Sequence, residues 1–401
     1  MRIRIEKGTA SGTVKIPASK SVAHRLLINA ALTEGETVLD DVTLNEDIEA
    51  TVDCLKALGA KISLDGEKCR IVGGMSSKSD TRRLCCRESG STLRFLLPLC
   101  LDGVRTELYG SPRLIERPHG VYKEICEKSG FLWQTDGEKI TVCGKLKSGV
   151  YEIPGNISSQ FITGLMLTLP SLEGDSIIHL TTEAESLSYI DMTVKSLEEF
   201  GIKIQKKNER EWFIPGGQKR KAPPRLCVEA DESGAAFFAA LNYLGGEVRL
   251  EKLNEGSCQG DRVWRSLFEL VAKGCVEISI KDCPDLGPIL MALAAGCGGI
   301  TLTDTARLKI KESDRGEAMA QELAKLGVNV TVEENKITVD PDGIHSPSEP
   351  LDGHNDHRIV MSLAILLTRF GGVINGAQAV AKSMPSFFTL LNNLGIKTEE
   401  G

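Results

Sequence analysis

The sequence carries no Cys-x-x-Cys pair among its twelve cysteines. Cys85 and Cys86 are neighbours, a spacing that suits neither a zinc knuckle nor an ordinary disulfide. No apolar run approaches the ~20 residues that a membrane span requires; the longest lie around Ile359–Leu367 and Pro288–Ala295. Met1–Ile5 alternates like a strand and lacks the apolar core of a signal peptide. Small, buried thiols in a reducing cytoplasm are therefore expected. Excess positive charge is missing too: the formal net charge is −7, which argues against nucleic acid or an anionic membrane as the main partner. A locally basic site for a small anion is still compatible with that balance. No Walker A sequence, His-Glu-x-x-His or Gly-x-Ser-x-Gly element occurs, so P-loop, zincin and serine-hydrolase chemistry lose their usual signatures. No metal or organic cofactor is implied.

What the sequence does hold is a unit that recurs six times. A polar cluster opens a nearly unbroken apolar helix that stops at glycine: Gly35, Gly103, Gly174, Gly246, Gly299 and Gly372. A short strand, a loop and a second helix follow, the latter closing at Gly59, Gly130, Gly201, Gly274, Gly327 and Gly395. Periodicity on this scale means one supersecondary unit copied, with neighbours covering each other's apolar faces. The first helices, predicted over Leu26–Leu32, Leu93–Leu101, Phe161–Leu169, Ala235–Leu244, Ile289–Ala295 and Ile359–Leu367, have no polar face and belong in an interior. The second helices, such as Ile48–Leu58, Met192–Phe200 and Glu317–Leu326, are amphipathic and should cover the outside. The stretch from Gly216 to Pro224 reads as a linker or exposed crossover. At 401 residues the fold expected is α/β, in two halves of three repeats, with ligands bound in a cleft between them.

The polar helix starts carry the candidate chemistry, because a helix N-terminus with capping residues and nearby cations holds anions. Ser19-Lys20-Ser21 places an ammonium and hydroxyls there, and Arg25 lies one turn beyond Ser21. A capped helix with a solvated lysine would read the same way. Gly90, between Ser89 and Ser91, permits close approach of a ligand or simply a tight turn. Arg117, before Pro118, is kept out of helix and is either a fork for phosphate or half of a surface ion pair. Ser158-Ser159-Gln160 suits hydroxyl and phosphate groups, or is a generous cap, and Ser186 and Tyr189 follow in the same repeat. In the second half, Asp285 stands at the positive end of a helix dipole. Lys311-Glu312-Ser313-Asp314-Arg315 is dense in charge, Arg358 opens a buried helix, and Lys382 precedes the last one. Recurrence at equivalent points favours a doubly anionic substrate and proton transfers.

In order, the segments SKSVAHR (from Ser19), SGSTLRF (from Ser89), Glu116-Arg117-Pro118, SSQF (from Ser158), SLSYID (from Ser186), QGD (from Gln259), CPDLGP (from Cys283), KESDR (from Lys311), NDHR (from Asn355) and AKSMP (from Ala381) span nearly the whole chain. They resemble the EPSP synthase family of enolpyruvyl transferases. The resemblance implies a two-domain inside-out α/β barrel of six βαβαββ repeats, three per domain. The N-terminal domain would be residues 14–225, and residues 1–13 with 226–401 would form the other, the active site lying in the interdomain cleft. It implies transfer of the enolpyruvyl group of phosphoenolpyruvate to the 5-hydroxyl of shikimate 3-phosphate by a monomer. Shikimate 3-phosphate would be held by Lys20, Ser21, Arg25, Ser158, Ser159, Gln160, Ser186, Tyr189, Asp285 and Lys311. Phosphoenolpyruvate would be held by Lys20, Gly90, Arg117, Gln160, Arg315, Arg358 and Lys382. Asp285, Glu312 and Lys20 would move the protons.

Three departures from the family pattern, Glu88, Arg307 and Ala18, bear on affinity and glyphosate sensitivity more than on the reaction. The rival is the enolpyruvyl transferase acting on UDP-N-acetylglucosamine. That family has Lys-Asn where Lys20-Ser21 stands and a cysteine in the loop near Arg117, whereas Ser111–Pro118 contains none.

Overall fold

A computed structural model describes residues 1–74, 79–274, 276–341 and 343–401. The chain forms two compact units, one of Lys20–Val228 and one of Met1–Ser19 with Glu229–Gly401. Among the described residues no helix is long and apolar enough to cross a membrane.

In the unit Lys20–Val228 the helices are α1 (Lys20–Leu32), α2 (Glu46–Ala57), α3 (Gly90–Leu96), α4 (Pro112–Glu116), α5 (Gly120–Lys128), α6 (Ser159–Thr168) and α7 (Leu187–Glu199). Three four-stranded sheets accompany them, each with one parallel pair followed by two antiparallel pairings. A representative sheet orders Thr81–Cys85, Arg105–Tyr109, Lys139–Cys143 and Leu132–Thr135. The sheet built on Glu36–Asp40 takes its parallel edge from Arg225–Cys227, the far end of the unit. The same arrangement three times over is the structural form of the sequence repeat.

The other unit holds α8 (Glu232–Tyr243), α9 (Trp264–Ala272), α10 (Gly287–Cys297), α11 (Arg315–Ala324), α12 (His357–Phe370) and α13 (Phe387–Asn393). Strand Val276–Ser279 pairs in parallel with Ile300–Thr303, which continues antiparallel through Lys336–Asp340 to Asn329–Val332. The N-terminal strand Arg2–Ile5 lies between Gly372–Asn375 and Thr398–Glu400. Ser11–Lys15 runs parallel to Glu247–Glu251, and this pairing keeps the chain in this unit through Ser19.

Helices α6, α8, α10 and α12 are buried nearly all round, and α1 from Ala23 to Ala31. Their apolar surfaces are the cores of the units, and the candidate binding residues lie mostly at or just before their starts. One predicted helix is shorter than expected. The stretch Leu93–Leu101 breaks after Leu96 into a 3₁₀ turn at Pro98–Cys100, because proline lacks the N–H to continue the ladder. Helix α6 starts two residues before the expected Phe161–Leu169 and ends one residue earlier, giving way to a turn containing Pro170.

The packing of α3 on α6 sets how close the starts of these helices can lie. Tyr122 on α5 bridges them, its hydroxyl reaching the Arg94 carbonyl at 2.7 Å and the Phe161 carbonyl at 3.0 Å. A Cβ on Gly164 would fall 2.3 Å from both the Arg94 carbonyl oxygen and the Tyr122 hydroxyl. Gly164→Ala is therefore expected to cost about 1–3 kcal/mol through overpacking. Urea unfolding would register this as a lower midpoint at unchanged slope.

Candidate active site

In the unit Lys20–Val228 the polar starts of α1, α3 and α6 carry most of the expected binding residues. Lys20 opens α1 and its ammonium lies 2.7 Å from Asp47 on α2. Ser21 follows it, and the Ser21 carbonyl accepts from Arg25 at 2.7 Å. The remaining bonds of Arg25 run to Thr193 at 2.8 Å, Thr163 at 3.2 Å and the Tyr189 carbonyl at 2.9 Å. The guanidinium is buried, and burial brings its pKa down to about 10. Arg25 thus ties the first turn of α1 to the start of α7, where Ser186 is held in the left-handed region at φ 58°. Strain of this kind in a buried serine is kept only where the surroundings over-determine it.

Ser158 caps α6 by accepting from the Gln160 amide at 3.3 Å, and Ser159 beside it is buried. Gln160 is fixed from both ends of its side chain: Arg94 donates to its oxygen at 2.6 Å and its nitrogen donates to Ser91 at 3.1 Å. Arg94 also donates to the Pro118 carbonyl at 3.1 Å. Arg117 stands just beyond α4 in extended conformation, as the proline after it requires. Its guanidinium lies against Gly90, with Nη1 only 2.8 Å from where a Cβ would be. The glycine is there for that close approach. Arg117 Nε is buried without a hydrogen-bond partner among the described residues.

The other unit gathers the acids. Asp285, one residue after Pro284 and just ahead of α10, meets three cations: Lys311 at 3.2 Å, Arg315 at 2.8 Å and Arg358 at 3.0 Å. Arg315, itself buried, spans Asp285, Glu312 at 2.7 Å and Asp356 at 2.8 Å. Asp356 also caps α12 through the Arg358 amide at 2.9 Å. Burial by itself would raise the Asp285 pKa, but Arg358, Lys311 and Arg315 together hold it well below the usual carboxylate range. Burial opposes the charge on Arg315, yet Asp356, Glu312 and Asp285 outweigh it and raise its pKa. For Lys311 burial wins, and with Arg307 and Arg315 as further opponents its pKa falls to about 8. Lys382 donates to the Asn355 carbonyl at 2.6 Å, at a left-handed pair formed by His354 and Asn355.

The structure therefore brings Lys20, Ser21 and Arg25 onto one helix start, and Gly90, Arg117 and Gln160 into one network through Ser91, Arg94 and Pro118. It gathers Asp285, Lys311, Glu312, Arg315 and Arg358 around one ion cluster. Sequence reading missed Arg94, Asp47 and the role of Asp356. Arg94 had a signal, a cation inside an otherwise apolar helix; Asp47 and Asp356 resembled ordinary residues of a helix start. Of the departures, Arg307 is buried near Lys311, while Ala18 forms an isolated bridge with Ala230.

Removing the cation of such a cluster leaves carboxylates buried without compensation. Arg315→Met is expected to cost about 3–5 kcal/mol, with part of the loss recovered when Asp356→Asn is added. Denaturant titrations of the single and double variants measure both effects. Because Asp285 and Asp356 have folded pKa values below their unfolded ones, their contribution is complete above roughly pH 4 and is lost as the pH falls further.

The family described as EPSP synthase (3-phosphoshikimate 1-carboxyvinyltransferase) matches residues 5–391. The 3-phosphoshikimate 1-carboxyvinyltransferase of Clostridium acetobutylicum is 38% identical, over 98% of this chain and 97% of that protein. The protein of the same name from Clostridium kluyveri is also 38% identical, over 99% and 98%. Among solved structures, EPSP synthase from Acinetobacter baumannii superposes over all of both chains with a TM-score of 0.81 at 24% identity. The enolpyruvyl transferase NikO from Streptomyces tendae gives 0.78 at 15% identity, covering 99% of this chain and 98% of that one. The repeats, the charged helix starts and a match over nearly the full length place this chain in the EPSP synthase family.

Proposed function

We propose that the chain transfers the enolpyruvyl group of phosphoenolpyruvate to the 5-hydroxyl of shikimate 3-phosphate, releasing phosphate and 5-enolpyruvylshikimate 3-phosphate. The single observation that carries the residue assignment is the Asp285 carboxylate held by Lys311, Arg315 and Arg358. The reaction needs such a group. The 5-hydroxyl must lose a proton as its oxygen attacks C2, C3 must gain one, and the tetrahedral adduct must then lose a proton from C3 as the C2–O bond to phosphate breaks. We assign Asp285, Glu312 and Lys20 to these transfers. Lys20, Ser21, Arg25, Ser158, Ser159, Gln160, Ser186, Tyr189, Asp285 and Lys311 are assigned to shikimate 3-phosphate. Lys20, Gly90, Arg117, Gln160, Arg315, Arg358 and Lys382 are assigned to phosphoenolpyruvate.

The electrostatics support a base that is switched on by its substrates. Asp285 is a poor proton acceptor while three cations hold it. Phosphate and carboxylate groups compete for the same cations, and each cation drawn to a substrate lets the proton affinity of Asp285 rise again. Cations so released stabilise the charge of the adduct and of the departing phosphate. We place the enzyme in the cytoplasm as a monomer. The described cysteines are all free thiols, as a reducing compartment favours, and one chain supplies every assigned residue.

Phosphate release from phosphoenolpyruvate is the direct assay. It is expected with shikimate 3-phosphate as acceptor and not with UDP-N-acetylglucosamine; the reverse pattern would remove the assignment. Asp285→Ala should lower turnover by at least ~10², the scale of a lost general base. A second expectation concerns pH. Lys311 is charged below about 8 and neutral above it, so kcat/KM for shikimate 3-phosphate should fall above that pH with the slope of one proton. Lys311→Arg keeps its charge and should abolish this limb, which a pH profile of the variant reads directly.

A further inference from the structure

Beside the assigned residues of α1 runs a buried polar chain that the reaction does not consume. His24 is fully buried one turn beyond Lys20 and next to Arg25. Its Nδ1 lies 2.7 Å from the Thr51 hydroxyl on α2, and Thr51 lies 2.7 Å from the Thr92 hydroxyl on α3. Thr92 donates to Ser89 at 2.7 Å, and Ser89 in turn caps α3 through the Thr92 amide at 3.2 Å. Lys20–Asp47 and His24–Thr51 are thus two rungs between α1 and α2, each displaced by four residues on both helices. The second rung continues to the residue preceding Gly90, against which Arg117 rests.

The direction of the chain follows from counting protons. Thr92 has one hydroxyl proton, directed to Ser89 or to the Asp47 carbonyl at 3.4 Å. None is left for Thr51, so Thr51 donates to Thr92 and must accept from His24. Nδ1 therefore carries the imidazole proton, and Nε2 is buried with no hydrogen-bond partner among the described residues. Burial, with Lys20 and Arg25 adding to it, pushes the pKa of the ring well below its usual value. The ring acts as a neutral, one-way donor.

We propose that His24 is a positioning residue for phosphoenolpyruvate: its Nδ1–H, through Thr51, Thr92 and Ser89, sets the spacing between the Lys20 ammonium and the Gly90–Arg117 pair. The inference rests on the assignment of Lys20, Gly90 and Arg117 to that substrate. Loss of one buried hydrogen bond at a critical point changes affinity by about tenfold. An asparagine can place an amide N–H where Nδ1 stands, whereas glutamine reaches toward Nε2 and leucine offers neither.

The test is steady-state kinetics of His24→Asn, His24→Gln, His24→Leu and Thr51→Val, each with a thermal melt to establish folding. His24→Asn is expected to keep KM for phosphoenolpyruvate within about threefold of the parent chain, while the other three raise it about tenfold. Changes in kcat and in KM for shikimate 3-phosphate should be smaller. The double variant His24→Leu with Thr51→Val should be no worse than either alone, since both break one chain. The acid limb of the pH profile should be the same in His24→Asn as in the parent, because the ring is neutral throughout. Equal impairment of His24→Asn and His24→Leu would overturn the proposal, as would melting points that fall while KM for phosphoenolpyruvate stays constant. Should His24→Leu fail to fold, the contrast between His24→Asn and Thr51→Val decides it. A parent chain that releases no phosphate would instead overturn the assigned reaction, and this inference with it.

Discussion

A helix enclosed by protein on every side can offer polar groups only at its ends. That constraint governs this molecule. Helices α6, α8, α10 and α12 contribute mainly apolar surface along their length, so most of the polar chemistry gathers at the first turn, with Arg25, Arg94 and Thr163 as buried exceptions that hold one another's helices in place. Free backbone N–H groups and the helix dipole add a preference for anions at that place. Copying the unit multiplies these starts, and divergence of a few residues at each yields a set of different binding groups on a constant frame.

The two units have used this freedom differently. In Lys20–Val228 the starts of α3 and α6 are rich in hydroxyls and amides, and the cations Arg25, Arg94 and Arg117 are steered by carbonyls, glutamine and glycine. In the other unit the starts of α10 and α12 carry Asp285 and Asp356, and the cations are held in a lattice of carboxylates around Arg315. The first arrangement fixes its cations by neutral partners. The second balances opposite charges closely enough that an incoming anion can redistribute them, which suits proton transfer. Desolvation makes both more sensitive to a missing partner than any exposed pair would be.

The repeat, its α/β character, and the candidate residues at the helix starts were legible in the sequence because apolar periodicity and glycine punctuation are local signals. Contacts between repeats were not. Nothing near Arg25 announces Thr163, Tyr189 and Thr193, which lie far along the chain and meet it only after α1, α6 and α7 pack. His24 reads as one more residue of an apolar helix until Thr51 and Thr92 are brought to it. Prolines were visible, but their effect on Leu93–Leu101 was underestimated, since an apolar run continues through a turn as readily as through a helix. Arg117 is the contrary case: its neighbour Pro118 foretold its extended backbone, and only the proximity of Gly90 awaited the structure.

The strand Arg2–Ile5 finds its two neighbours at Gly372–Asn375 and Thr398–Glu400. It is made well before either neighbour and can be paired only after Gly372–Asn375 has been synthesised. At roughly 5–20 residues per second this delay is about 20–75 s, during which Lys20–Val228, an uninterrupted stretch, can fold to completion. Assembly of the discontinuous unit is thereby postponed until these later strands are made, and a strand that ends up between two neighbours has to remain unpaired meanwhile. Arg2 and Arg4, which alternate with Ile3 and Ile5 along it, make such a waiting segment a poorer template for pairing with another chain.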